Sequence, residues 1–242
     1  MAKRLSAPER RNLILDEASR LFAFRGLHGT TTKEIAKAVG ISEPVLYQHF
    51  ASKEEIYSEL ELICSQQTAY FKKVVQELGL GVDSLITITY LLIRVISFSK
   101  EPASKSKAKE CAPSEILLRL MGYSFLEDGR FARSLVENCI GAFFQQWSEC
   151  YKLAQKDGHL NIEKADSTHL WLAYESIIGF GMFILPPQLL VDRINKTDEA
   201  SKAATLFVLR GLGLKESVVE KYVDWQELRK TYANALKLAD VF

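Results

Sequence analysis

The chain has 242 residues, 48% hydrophobic and 25% charged, with a net charge of +1. That length suits one or two domains with a full core, and the composition is that of a globular protein, not a disordered or fibrous one. A net charge so near zero excludes a chain that is basic over its whole surface, but residues 1–53 hold nine Lys/Arg against five Asp/Glu, leaving 22 against 25 in the remainder. A basic head on a slightly acidic body fits contact with a polyanion through one end. MAKRLSAPERR at the start is basic, but polar residues follow it rather than the apolar core of a signal peptide.

In chain order, the first predicted helix runs from about Pro8 to Arg25, with Leu13, Ile14, Ala18, Leu21 and Phe22 at helical spacing and Gly26 as its stop. Residues 31–53, TTKEIAKAVGISEPVLYQHFASK, then read as two short helices joined by a tight turn. Thr31 and Glu34 form a capping box, and Ile35, Ala36 and Val39 give one apolar face. Gly40 marks the turn, where positive φ is tolerated. Ser42 opens the second helix with Pro44 in its first turn. Val45, Leu46 and Phe50 face inward; Glu43, Gln48 and His49 face out, with Tyr47 alongside. A helix, a glycine turn and a short polar-tipped helix make a helix-turn-helix DNA reader.

Ser52 and Glu55 form a second capping box opening a long helix to about Leu78, broken by Gly79-Leu80-Gly81. Residues 83–99 are apolar almost all round and predict a buried helix; the apolar run 85–98 is too short to span a bilayer and contains Arg94. The lysine-rich, proline-bounded stretch 99–113 reads as a loop. Helices follow at 114–126 and 130–156, the latter carrying Phe131, Leu135, Ile140, Phe143, Phe144, Trp147 and Tyr151 and closed by Asp157-Gly158. Two more run from about 166 to 185, stopped by Pro186-Pro187, and from 198 to 212. The tail, 215–242, is amphipathic, with Trp225, Leu228, Tyr232, Leu236 and Ala239 on one side. The fold class is therefore all-α, divided into a head at 1–52 and a helical body at 53–242.

The residues Thr31, Thr32, Ile35, Ala36; Gly40, Ile41, Ser42; Leu46, Tyr47, His49, Phe50; and Ser52, Lys53, Glu54 stand at the spacing of the tetracycline-repressor (TetR) family, which the segment resembles over about residues 8–58. The resemblance implies a three-helix DNA-binding head and a body that binds an effector and dimerises. Matched position by position, Thr32, Lys33, Ser42, Tyr47, His49 and Lys53 are the expected phosphate contacts, and Glu43, Val45 and Gln48 sit where base edges are approached. Gln48 suits adenine, Glu43 the cytosine amino group and Val45 a thymine methyl. The second helix has no Lys or Arg, so arginine readout of guanine is not expected there, and Lys33 becomes the cation nearest a base.

One reading helix covers few base pairs, so a homodimer is expected to place two of them in successive major grooves about 34–36 Å apart on a palindromic operator. Its expected interface is 166–185 with 198–212, a four-helix bundle in which Gly179, Gly181, Ala200, Ala203, Ala204 and Gly211 allow close approach. The resemblance also implies an effector site among the middle helices. Phe71, Tyr90, Ile93, Leu117, Met121, Tyr123, Phe143, Trp147, Tyr151 and Tyr174 are its apolar and aromatic candidates, with Arg94 as an anchor for a polar head group. Each also suits plain core. The expected effector is small and largely hydrophobic.

No G-x-S-x-G, P-loop or H-E-x-x-H pattern occurs, and His28, His49, His159 and His169 are scattered, so neither an enzyme nor a cofactor or metal is expected. Cys64, Cys111, Cys139 and Cys150 lack metal-ligand spacing; the last two, on one predicted helix, would lie about 16 Å apart, too far for a disulfide. Four reduced thiols and no membrane span describe a cytoplasmic protein. The sequence thus predicts a ligand-responsive, dimeric transcription repressor without an enzyme's chemistry. A helical ligand-binding or interaction protein without specific DNA readout is the rival reading.

Overall fold

A computed structural model describes residues 5–67, 69–97, 113–137, 141–162, 164, 166–183, 185 and 197–239. Among these, every long element is a helix: α1 (Ala7–Arg25), α2 (Thr32–Val39), α3 (Glu43–Tyr47), α4 (Lys53–Gln67), α5 (Ala69–Glu77), α6 (Val82–Ser97), α7 (Pro113–Leu126), α8 (Arg130–Leu135), α9 (Gly141–Lys156), α10 (Ser167–Phe183), α11 (Thr197–Gly211), α12 (Glu216–Tyr222) and α13 (Trp225–Ala239). The all-α expectation is met. The expected loop lies almost wholly outside the described residues, as do Cys111, Cys139, Ile140 and Pro186-Pro187.

The chain divides into two compact units, Met1–Gln66 with Glu110–Asn138, and Gln67–Lys109 with Cys139–Phe242. The unit that contains the head is therefore larger than residues 1–52 and takes in α7 and α8. In it, α1 starts on a capping box in which the Ser6 hydroxyl accepts from the Glu9 amide and the Glu9 carboxylate accepts from the Ser6 amide, with Pro8 in the first turn. Its inner face buries Ile14, Leu15, Ala18 and Phe22 in a core shared with Ile35, Leu46, Phe50, Ile56 and Tyr57. Phe22 meets the edge of Tyr57 at 5.2 Å between centroids, and Tyr57 meets Phe131 of α8 at 5.7 Å.

A stripe along α7 grips the end of α1. The Arg119 guanidinium lies 4.3 Å over the Phe24 ring. One turn on, the Tyr123 hydroxyl donates to the Phe24 carbonyl at 2.6 Å. A further turn on, just past the helix, Glu127 Oε1 accepts from the His28 amide at 3.3 Å. The spacing of 119, 123 and 127 is one helical face. Gly26 fits beneath them with φ of +71°, and a Cβ there would stand 2.4 Å from Glu127 Oε1 and 3.0 Å from Tyr123 Cδ1.

In the second unit, α6 is buried on nearly every side, as its sequence predicts. Against it Trp147 of α9 is fully buried, and its Nε1 donates to Thr89 Oγ1 at 3.1 Å. The Tyr151 hydroxyl donates to the Leu212 carbonyl at 3.0 Å, and burial pushes this phenol up to about 12, which keeps it a donor. Burial likewise raises the Cys150 thiol, the behaviour of a core cysteine. The one basic residue of α6, Arg94, stacks 4.5 Å over the Tyr232 ring of α13, and its Nη1 lies 3.6 Å from Asp198 of α11. Lys202 and Arg229 reach the same carboxylate at 3.1 and 3.2 Å. A buried charge needs such partners, and here they tie α6, α11 and α13 together.

The amphipathic tail is divided into two helices, α12 and α13. The Asp224 carboxylate accepts from the amides of Gln226 and Glu227, at 2.9 and 3.2 Å, and so starts α13 anew after the break at Val223.

Gly26→Ala is expected to destabilise the protein by about 2 kcal/mol, since it combines a strained backbone with a clash against α7. Urea unfolding compared with the wild type measures this.

Candidate nucleic-acid interface

The turn between α2 and α3 is built as the sequence reads. Thr31 Oγ1 accepts from the Glu34 amide at 3.2 Å, and Glu34 returns the bond to the Thr31 amide at 3.0 Å. These bonds from Thr31, reinforced by Arg25, hold the Glu34 carboxyl below the usual carboxylate range. Arg25 Nη1 stands 2.6 Å from Glu34 and so joins α1 to the start of α2. Gly40 is left-handed, φ 76° and ψ 30°, and the Ile41 amide folds back to the Ala36 carbonyl at 3.0 Å. Ser42 occupies the N-cap of α3, but its hydroxyl makes no cap bond. Leu46 and Phe50 are buried, Val45 and His49 half-buried, Tyr47 and Gln48 exposed. Lys33, the cation expected nearest a base, is exposed on α2.

Thr32 and Tyr47 come together beside α3. Their hydroxyl oxygens are 3.3 Å apart, and Thr32 also donates to Glu43 Oε1 at 2.5 Å. Next to them a shallow depression of about 330 Å3 is lined by Thr30, Thr31, Thr32, Tyr47, Ala51, Ser52, Lys53 and Glu54. Hydroxyls and an ammonium in one concave spot suit a phosphate oxygen. Lys53 is less available than its sequence position suggests. Its Nζ donates to the carbonyls of Leu27 and Thr30 at 2.7 and 2.9 Å, bracing the turn before α2 and leaving one of three protons. The second capping box is also altered: Ser52 Oγ accepts from the Glu55 amide at 3.1 Å, but Glu55 accepts from Ala51 rather than from Ser52.

Sequence reasoning missed Arg11. Its guanidinium donates to the His49 carbonyl at the end of α3 and to the Glu59 carboxylate of α4, and lies 3.9 Å over the Phe50 ring. It fixes where α3 points. A residue on the outer half of an N-terminal helix gives no periodic signal for such a role; its distant acceptor, Glu59, looks like an ordinary surface charge.

The effector candidates are divided between the two units. Leu117, Met121 and Tyr123 belong to the unit with the head, and the other eight to the second unit. Tyr123 is part of the grip on α1. Phe71 and Phe143 meet edge to face at 5.5 Å, Tyr90 meets Trp225 at 6.3 Å, and Tyr174 meets Trp171 at 6.1 Å. Ile93 is fully buried, and Trp147, Tyr151 and Arg94 use their polar groups on protein partners. In the expected dimer segments, Leu172, Phe183 and Phe207 are more than half exposed, with Trp171 beside them. Ala203 and Gly211 are exposed too, whereas Gly181 and Ala204 pack inside their own unit.

The profile of the bacterial regulatory proteins of the tetR family matches residues 14–60, the span just described. Over these residues the chain carries a TetR-type head. Its TetR-type head is 52% identical over 54 residues to the transcriptional activator FasR of Mycolicibacterium smegmatis, 22% of this chain and 25% of that protein. It is 40% identical over 83 residues to the transcriptional repressor KstR2 of Rhodococcus jostii, 34% of this chain and 40% of that one. The matches therefore span about a quarter to two fifths of these curated relatives. Over the whole length only the fold is shared: KstR2 of Mycobacterium tuberculosis aligns with 88% of this chain and 98% of its own at a TM-score of 0.60 and 22% identity. AmtR of Mycobacterium smegmatis aligns with 98% and 97% at 0.56 and 19%.

Lys53→Ala removes two charge-assisted bonds to backbone as well as a cation. It is expected to destabilise the protein by about 1–2 kcal/mol and to weaken binding to every duplex, with the salt slope reduced by roughly one. Denaturation and a salt titration of duplex affinity measure the two effects; an unchanged slope removes Lys53 from the phosphate contacts.

Proposed function

We propose that this chain is a ligand-responsive transcription regulator, a repressor that binds a palindromic operator as a homodimer and is released by a small hydrophobic effector. The observation that carries the reading is the head itself. A boxed α2, a left-handed Gly40 and a short α3 braced from behind by Arg11 leave Gln48 exposed and Val45 half-buried, beside a hydroxyl-lined depression. In this arrangement Val45 and Gln48 meet base edges, while Thr32, Lys33, Ser42, Tyr47, His49 and the remaining proton of Lys53 meet phosphates.

The homodimer reading is supported by the exposed apolar face of α10 and α11. Leu172, Phe183 and Phe207 are 57%, 58% and 63% exposed, and Phe180 and Phe207 pair at 5.9 Å, so the face carries large apolar groups without cover in a single copy. A second copy of the same face covers it by two-fold symmetry. The effector reading rests on the aromatic body; Arg94, the anchor expected from the sequence, is engaged with Asp198 and Tyr232. An effector releases DNA only by binding the DNA-competent and DNA-incompetent states unequally.

The rival, a helical binding protein without specific readout, draws on α3 having no Lys or Arg. Selection from a random duplex pool separates the two: the regulator enriches a palindrome that it holds over random DNA at raised salt. The double variant Leu172→Glu, Phe207→Glu is expected to be a monomer by light scattering and to lose the preference for the two-fold site. A thermal-shift screen of lipids and aromatic compounds is expected to raise the melting temperature with at least one hydrophobic class; no hit above background removes the effector from the proposal.

A further inference from the structure

The hydroxyl cluster beside α3 contains an acid, where the sequence places a base reader. Thr32 has a single hydroxyl proton, and an ionised carboxylate can only accept. At 2.5 Å that proton goes to Glu43 Oε1. Toward the Tyr47 hydroxyl, 3.3 Å away, Thr32 Oγ1 is then left with lone pairs, so the phenol donates to it. The bonds run one way, from Tyr47 to Thr32 to Glu43. Both hydroxyl protons that the DNA-binding reading assigns to phosphate are instead engaged in a chain of bonds that ends on a carboxylate, Tyr47 donating to Thr32 and Thr32 to Glu43. Among the described residues no Lys or Arg forms an ion pair with Glu43. Its charge is therefore uncompensated beside the depression proposed to seat a phosphate.

We propose that Glu43 is a brake on duplex binding: it competes with DNA phosphate for the Thr32 donor, through Thr32 it also engages Tyr47, and it does not read a base. This rests on the DNA-binding reading above. An approaching phosphate must take the Thr32 donor from Glu43 and the Tyr47 donor from Thr32, and lie near a like charge. That penalty is the same for every sequence, because the phosphate carries no sequence information. Contacts of Val45 and Gln48 with bases form only on the selected site. The brake thus lowers the affinity for all duplexes together and leaves the order of preference among them to α3.

The test uses full-length protein and two duplexes, one enriched by the wild type from a random pool and one unselected. Glu43→Gln keeps an oxygen acceptor for Thr32 and removes the charge; Glu43→Ala removes both. Both variants are expected to bind both duplexes more tightly, by roughly fivefold for the lost like charge at close range, with the base preference unchanged in a single-substitution scan of the site. A changed preference at one base pair makes Glu43 a reader and overturns the proposal. Unchanged or weaker binding to the unselected duplex overturns it as well. If the wild type enriches no duplex, the DNA-binding reading falls and this proposal with it; if it enriches one and the variants behave otherwise, only the role of Glu43 falls.

Discussion

Arg11 reaches from α1 to three places at once: the His49 carbonyl that ends α3, the Glu59 carboxylate on α4, and the face of Phe50 between them. The planar guanidinium suits this, because its donors diverge in one plane while its flat face stacks. α3 is only five residues long and cannot hold its own direction by internal hydrogen bonds. Its orientation is therefore imposed from outside, by Arg11 at one end, by Leu46 and Phe50 beneath, and by the Gly40 turn at the other. Everything proposed for the outward face of α3 depends on that imposed direction.

The basic surplus of the head is used inwardly to a large degree. Arg11, Arg25 and Lys53 bind Glu59, Glu34 and two backbone carbonyls, and Arg20 pairs with Asp16 at 3.3 Å on the surface of α1. Such cations keep their charge while paired, so the long-range attraction for a polyanion persists even where the short-range donors are occupied. Around α3 itself, which has no Lys or Arg, close contact relies on hydroxyls and amides, with the exposed Lys33 and Lys37 on the neighbouring α2. The same donors are shared with protein carboxylates, and the head's grip on DNA becomes a matter of exchange between acceptors.

The local punctuation was legible in the sequence because each signal needs only neighbours. The Thr31–Glu34 box, the left-handed Gly40, Pro44 in the first turn of α3 and the apolar α6 all stand where the spacing puts them. The break at Val223-Asp224 was hidden because an Asp in an amphipathic run reads as a surface charge until its carboxylate is seen capping α13. Arg11, Glu43 and the 119–123–127 stripe were illegible for a different reason. Their partners lie 38, 11 and 99 residues away in the chain, and no periodicity encodes which turn of which helix will arrive beside them. The ligand candidates show the limit of residue type: an aromatic on a middle helix looks the same whether it lines a cavity or, like Trp147, fills the core and donates to Thr89.

The compact unit around α1 is written in two separate stretches of chain, with Gln67–Lys109 between them belonging elsewhere. Tyr123 and Glu127 close over Gly26 only because both stretches fit each other. A head of this kind is not a cassette. Recombination that exchanges the first sixty residues with those of a relative replaces Phe24, Gly26 and His28 but leaves the α7 that fits them. The end of α1 and α7 are thereby constrained together, and a chimera that is to keep a native junction must carry both stretches.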